Sequence, residues 1–161
     1  RNCVSTVRSK LEECMNRETL QQIVTGIIHE GKQIPDSGDV VIVTAKRIGT
    51  ISHNGTLDFG GSEYTEGPVE WIEPKKKDEG DDYGWWMLDE GDYIVEYNET
   101  VQPTSDTRCY LQIWDAAARN GLSQPFQIIA DRRAPLHGTV RVGKAGIGIK
   151  ENARISVVGA L

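Results

Sequence analysis

The hydrophobic pattern of the chain changes its period near residue 32. Before that point, apolar residues recur at helical spacing. Val4, Val7 and Leu11 lie on one face of a first predicted helix, which continues to Cys14 or Met15. The pattern therefore predicts that the chain opens with a helix.

A second amphipathic helix is predicted directly after the first. Asn16 is a suitable N-cap and Gly31 a suitable C-terminal stop. One apolar stripe runs between them, formed by Leu20, Ile23, Val24, Ile27 and Ile28. We therefore assign residues 1–31 to an N-terminal helical segment.

From Ile34 onward the pattern is that of short β-strands. Residues 40–43 are an apolar, β-branched run, and Tyr93, Val95 and Tyr97 alternate with polar residues. Residues 60–84 are a long polar excursion with one short strand near Trp71. Further short strands are predicted in the stretches TLDF, WWML, RCYLQIW, PFQIIA, GTVRV, GIGI and ARISVV. Many short strands separated by Gly and Pro predict a mainly β barrel or sandwich over residues 32–161, in one globular domain with the N-terminal segment.

One helical turn, DAAARNGL, interrupts the strands. Asp115 is a suitable N-cap, and the three alanines that follow it are strong helix formers. Asn120 and Gly121 suit a left-handed close. The sequence therefore predicts a well-specified helical turn in the middle of the β domain.

Charge and hydropathy exclude several classes of partner. The 161 residues include 18 Lys and Arg against 24 Asp and Glu, a formal charge of −6. This acidic balance argues against nucleic acid as a direct partner. No apolar run reaches the roughly 20 residues of a membrane span, so no membrane association is expected.

Cysteine and histidine spacing predicts no metal site. Neither Cys3, Cys14 and Cys109 nor the three histidines have ligand spacing. An odd number of cysteines favours reduced thiols, and hence an intracellular or particle-associated protein over a secreted one. The glycosylation sequons at Asn54 and Asn98 would matter only in a secreted chain.

The order of several motifs resembles the dUTPase and dCTP deaminase superfamily, especially its archaeal-type members. These motifs are LDEGDYIVEYNETVQP, a strand with the helical turn ending ARNGL, PLHGTVRV and GIGIKENARISVV. GTLDFGG, DVVIVTAKRI and the helical stretch ETLQQIVTGIIHEG are similar to the first half of the same pattern. The resemblance covers residues 17–161 and implies a distorted, jelly-roll-like β-barrel, a homotrimer, and nucleotide sites between subunits that work with magnesium.

The residues that carry the family's chemistry match poorly. The phosphate motif of the family is Pro-Arg-Ser-Ser, followed by an apolar turn and an Arg-any-Gly close. Arg119 and Gly121 match the close, whereas Trp114, Asp115 and Ala116 stand where the motif has its first Arg and both Ser. In the next motif, anchored on Gly138, the acidic position falls at Arg133 and the aromatic position at Leu136, with Asp131 two residues from the acidic position.

This selective loss leads to a hypothesis of a non-catalytic barrel. It would act as a trimeric structural or protein-binding component, possibly in a larger assembly, need no cofactor, and offer its N-terminal helices to a protein partner. The alternatives are a divergent magnesium-dependent dUTP nucleotidohydrolase or dCTP deaminase, and a nucleotide sensor without turnover.

Six residues are candidates for chemistry under these alternatives. Asp115 or Asp131 could activate water, whereas Arg119, Arg132, Arg133 and His137 could bind phosphate. Trp85 and Trp86 could stack a base, but their place at the start of a strand favours the core or a subunit interface.

Overall fold

The computed structural model describes residues 17–161, so the predicted first helix and the Asn16 cap lie outside the described residues. The chain is mainly β, as predicted. Its elements in order are α1 (residues 17–23), β1 (Val24–Thr25), α2 (Glu30–Gln33), β2 (Val40–Ile51), β3 (Val69–Ile72), β4 (Trp85–Leu88), β5 (Gly91–Tyr97), β6 (Thr100–Val101), β7 (Cys109–Ile113), α3 (Asp115–Ala118), β8 (Leu122–Ser123), β9 (Gln127–Ile129), β10 (His137–Val142), β11 (Ile147–Lys150) and β12 (Arg154–Ala160).

One large antiparallel sheet forms the barrel. Its strands follow the order β8-β10-β5-β2-β12-β7-β9, and β3 also pairs with β2. The two edge strands, β8 and β9, are separated in sequence only by residues 124–126. Because this link is so short, the two edges must lie close together, and the sheet curls into a half-barrel. Two small pairs, β1 with β6 and β4 with β11, complete the β structure of the described residues.

A ring of three polar side chains, two buried and one half-buried, lies beside this junction. The Tyr97 hydroxyl is 2.7 Å from Ser156 Oγ and accepts a hydrogen bond from Gln124 Nε2 at 3.0 Å, and Ser156 Oγ donates to Gln124 Oε1 at 2.8 Å. Burial raises the pKa of Tyr97 to about 12, against the opposing hydrogen bonds from Ser156 and Gln124. A Cβ at Gly138 would collide with Gln124 Nε2 and would come within 3.0 Å of the Tyr97 hydroxyl, so a larger residue at this β10 position would displace the ring.

The N-terminal segment differs from the prediction. Helix α1 ends at Ile23, and Val24–Thr25 pairs with Thr100–Val101 as a strand. The apolar residues Leu20, Ile23 and Val24 belong to the barrel core, whereas Ile28 is exposed. The sequence pattern failed here because β-branched residues next to a free strand gain more from pairing than from one more helical turn.

One further detail of the segment was also predicted wrongly. Gly31 lies inside α2 and does not stop a long helix, and α2 itself begins only after its N-cap residue His29. Gly26, which directly follows β1, has a positive φ of 83°.

A buried hydrogen-bond network ties residues 27–34, here called the strap, to the barrel. Gln33 Oε1 accepts from the backbone N–H groups of Ile28 and His29, at 2.8 and 2.9 Å. Gln33 Nε2 lies 2.9 Å from Ile42 O and 2.6 Å from Glu99 Oε1. Thr44 also donates to Glu99, through its backbone N–H and its hydroxyl. Burial raises the pKa of Glu99, and the bonds from Thr44 and Gln33 oppose that rise.

The tryptophan pair divides between core and surface. Trp86 is buried in the core, as predicted, and its Nε1 donates to Ile72 O at 2.7 Å. Trp85 is half-buried beneath Lys77, whose Nζ is 3.9 Å from the ring centroid. Trp86 is therefore a packing residue and is not available to stack a base.

Residues 52–68 form an exposed projection, here called the arm. Thr56 and Thr65 pair across it in an isolated bridge, so the predicted TLDF strand does not form. Leu57, Phe59 and Tyr64 are all exposed on it. The arm therefore presents large apolar side chains away from the core.

We predict that Gln33→Leu lowers the free energy of unfolding by about 3 kcal/mol, because it leaves buried partners of Gln33 without hydrogen bonds. Gln22→Leu, on the exposed side of α1, is the matched control and should change it by less than about 0.5 kcal/mol. Urea denaturation measures both. Equal stability of Gln33→Leu and the native chain would contradict the assigned role of Gln33.

Candidate functional site

Helix α3 begins one residue earlier than the sequence predicted. Trp114 is the N-cap residue, makes no side-chain capping bond, and has φ −71° and ψ 142°. Asp115 is the first helical residue, so the prediction that it caps the helix is wrong. The predicted close is confirmed, since Gly121 has a φ of 87° and its N–H donates to Ala118 O at 3.0 Å.

The Asp115 carboxylate pairs with a side chain of its own helix. Its Oδ2 lies 3.0 Å from Arg119 Nη2, four residues along, and the two side chains are 78% and 73% exposed. Such a surface pair contributes little stability. It does place a negative charge beside the one arginine that the phosphate motif retains.

Trp114 packs partly against the core, and the guanidinium of Arg154 lies 4.5 Å from its ring centroid. An aromatic ring therefore occupies the position at which the resembling motif has its first arginine. A cavity of about 550 Å³ opens between Trp114, the strap and residues 152–154.

The second group of candidates lies on the segment that leads into β10. Arg133 and His137 line one cavity of about 650 Å³, together with Tyr64 and Glu66 of the arm. The backbone of Arg133 pairs with Val101, at 2.8 and 3.0 Å. This cavity brings two of the six candidates together, and neither Asp115 nor Arg119 lines it.

The other candidates of this segment are solvated. Asp131 and Arg132 are exposed, and among residues 17–161 no ion pair joins Asp131 to an arginine. Leu136, at the aromatic position of the resembling motif, is buried in the core. It is therefore not available to pack under a sugar.

A buried carboxylate next to His137 was not predicted from the sequence. Glu96 is paired with His137 across β5 and β10, and its side chain is 3% exposed. Its Oε2 lies 2.7 Å from Arg47 Nη2 and 3.2 Å from His137 Nε2, and its Oε1 lies 3.5 Å from Lys46 Nζ. Arg47 in turn stacks 4.0 Å from the centroid of Trp71.

These partners hold the carboxyl of Glu96 in its ionised form. Burial alone raises the pKa of a carboxyl, but Arg47, His137 and Lys46 together outweigh burial and hold the pKa of Glu96 below its usual value. Because side chains alternate along β5, Glu96 lies on the face of the strand away from the inward-facing Val95 and Tyr97. Glu96 is buried by its partners from β2 and β10. The sequence around Glu96 gives no signal of these contacts.

The described residues hold neither a metal-binding cluster nor a reactive thiol. Within residues 17–161, no group of three or more His, Cys, Asp or Glu lies close enough to hold a metal ion. Cys109 is buried, and burial raises the pKa of its thiol, which disfavours the nucleophilic thiolate. None of the helices in the described part of the chain is long and apolar enough to cross a membrane.

The fold matches a known enzyme structure. The crystal structure of 2'-deoxycytidine 5'-triphosphate deaminase from Agrobacterium tumefaciens superposes with a TM-score of 0.63 over 90% of this chain, at 12% sequence identity. This chain spans 45% of the length of that chain. No protein-family model matches the sequence, and no curated protein matches it.

We predict that Glu96 makes the fold sensitive to acid. Its folded pKa is lowered, so its carboxylate stabilises the fold above the usual value of 4.5, and this contribution is lost as the pH falls through the folded pKa. The difference in free energy of unfolding between the native chain and Glu96→Gln should therefore shrink as the pH falls from about 7 to about 3. Glu90→Gln, which removes a surface pair with Arg141, is the control. A pH-independent difference for Glu96→Gln would refute the assignment.

At 12% identity the superposition establishes architecture alone, and the chain shares the barrel fold of that deaminase, as the order of its motifs predicted.

Proposed function

We propose that this chain is a non-catalytic protein with the dUTPase and dCTP deaminase fold, which acts as a trimeric structural or protein-binding component. The observation that carries the proposal is the start of α3. Trp114, Asp115 and Ala116 replace the arginine and serines of the phosphate motif, and Asp115 pairs with the retained Arg119.

Electrostatics at this helix disfavour a bound triphosphate. The N–H groups at a helix start attract anions, but Asp115 adds a full negative charge to the same turn. Two like charges about 4 Å apart repel by about 4 kcal/mol at an effective dielectric constant near 20, and by less where water screens them. A phosphate would also have to compete with Asp115 for Arg119.

The second motif supports the same reading. Leu136 stands at the position whose side chain packs under the sugar in the resembling motif, and here that side chain is packed in the protein core. Arg133 stands at the acidic position, and Asp131 is exposed and makes no ion pair with an arginine of the described residues. Among residues 17–161, this motif therefore holds no carboxylate in a fixed position to activate water.

The arm supports a role in assembly. Large apolar side chains that cluster on the surface mark sites of protein contact more often than isolated ones do. Leu57, Phe59 and Tyr64 project from the arm, and Phe126 and Ile128 are exposed on and beside the edge strand β9. We propose that these surfaces are covered when copies of the chain associate.

Docking of a protein partner on the N-terminal helices is a separate part of the proposal. Leu20 and Ile23 of α1 face the core. A partner that docks on the described part of this helix would therefore meet its polar side, near Arg17, Glu18 and Gln22.

Deamination of dCTP is the second candidate function, because the fold match is to a deaminase. It would require Asp115 or Asp131 to activate water, and magnesium to arrive with the nucleotide, since the described residues offer no carboxylate cluster for it. That the proposed non-catalytic protein needs no cofactor stays a prediction.

We predict no heat of binding when the native chain is titrated with dUTP or dCTP and magnesium to about 1 mM. Trp114→Arg combined with Asp115→Ser restores the motif residues and frees Arg119, so it should raise nucleotide affinity at least about tenfold. Asp78→Ser combined with Glu79→Gln, which makes the same change in net charge on another exposed loop, should not. Calorimetry measures binding, and release of pyrophosphate or ammonia measures turnover.

The outcomes separate the candidate functions. Binding by the native chain with product release would establish an enzyme, and binding without release would establish a sensor. A folded double variant without gain in affinity would contradict the account of α3.

We predict that the native chain has three times the 17.9 kDa mass of one copy in solution. Leu57→Ser combined with Phe59→Ser should shift it toward the mass of one copy, because the arm loses its apolar contact surface. Met87→Ser, which removes an exposed apolar residue outside the arm, is the control. Light scattering after gel filtration measures the mass, and a native monomer, or a trimer unaffected by the arm variant, would contradict this proposal.

A further inference from the structure

The cavity beneath the strap has the size of a small-molecule site. Its volume of about 550 Å³ lies within the usual range of roughly 300–1,000 Å³. The strap provides one wall through Ile28, His29, Lys32 and Gln33. Trp114, Thr44 and residues 152–154 provide the rest.

The charge of this cavity is opposite to that of the chain. Lys32 and Arg154 contribute two positive charges, and no carboxylate side chain is among its described lining residues. The chain as a whole carries −6. The nearby Glu99 lies behind Gln33 and Thr44, which donate hydrogen bonds to it. The local field therefore favours an anion.

An aromatic surface lies beside the cations. The guanidinium of Arg154 is 4.5 Å from the centroid of Trp114 and donates through Nη1 to Lys32 O at 3.0 Å. This bond holds the guanidinium between the indole and the strap. A flat apolar group can therefore contact the indole while its charged end meets Arg154 and Lys32.

Hydrogen bonds within the protein hold the walls of the cavity in place without a ligand. Gln33 ties the strap to Glu99 and to Ile42 O through buried bonds. Asn152, with a φ of 63°, is held by its N–H on Ala45 O at 2.9 Å and by its Oδ1 on Asn98 Nδ2 at 2.9 Å. A preformed site loses less free energy to ordering when it binds.

We propose that this cavity is a binding site for a small organic anion in which a carboxylate or phosphate is joined directly to a planar apolar group. The site shares only Trp114 with the phosphate-like motif, because neither Asp115 nor Arg119 lines it. The ligand would bridge the strap and the barrel, so its binding should stabilise the docked strap.

Three pairs of probes test the proposal on the native chain of residues 1–161 by calorimetry. Benzoate and phenyl phosphate carry both features, acetate and inorganic phosphate carry only the charge, and benzamide and benzyl alcohol carry only the ring. The first pair should bind at least about tenfold more tightly than either other pair, because each feature supplies separate contacts. Equal affinities across the three pairs, or no binding at about 10 mM, would overturn the proposal.

Charge variants locate the binding. Lys32→Gln and Arg154→Gln should each weaken phenyl phosphate binding about tenfold. Lys144→Gln and Arg108→Gln are the matched controls, exposed and outside the cavity, and should leave it unchanged. Because the Lys32 side chain is exposed, Lys32→Gln should fold normally, and unaltered affinity in this variant would refute the site.

Backbone amide NMR provides an independent readout. Phenyl phosphate should shift the signals of residues 28–33, 114 and 152–154. Shifts confined to α3 beyond Trp114, or to the arm, would place the ligand elsewhere and overturn the assignment.

Discussion

The carboxylate of Glu99 is the constraint on which the N-terminal half of the structure depends. A buried carboxylate is costly unless donors surround it, and here the donors come from β2 and from the strap. Thr44 supplies two of them from within the barrel. Gln33 supplies the third. Its side chain also bonds the backbone N–H groups of Ile28 and His29 and the carbonyl of Ile42. The hydrogen-bonding requirement of Glu99 therefore positions the strap, and with it one wall of the cationic cavity.

The two buried glutamates near the end of β5 show that the partners of a carboxyl, as well as its burial, set the direction of its pKa shift. Glu96 is surrounded by charged groups, and its pKa is lowered despite burial. Glu99 receives only neutral donors, and its pKa is raised. Three residues apart in sequence, they respond oppositely to acid. Neither is arranged to exchange protons with a substrate, since each oxygen already faces a donor of the fold.

Local chemistry made much of the fold predictable. Alternation identified β5, the β-branched run identified β2, and Gly121 marked the close of α3. The errors arose where distant partners decide. Pairing with β6 turned Val24–Thr25 into a strand, and the i to i+4 geometry of the turn drew Asp115 toward Arg119. The role of Glu96 could not be predicted, because Arg47, Lys46 and His137 are brought to it only by the register of the sheet.

The short edges of the main sheet limit how copies of this chain can meet. The strands at its borders are β8, β9 and β3, of two, three and four residues. Strands of that length offer few backbone groups to template an incoming strand, which protects a β-rich chain from open-ended polymer growth. Any stable oligomer must therefore rely on side chains, so its geometry can drift with surface substitutions while the barrel itself stays unchanged.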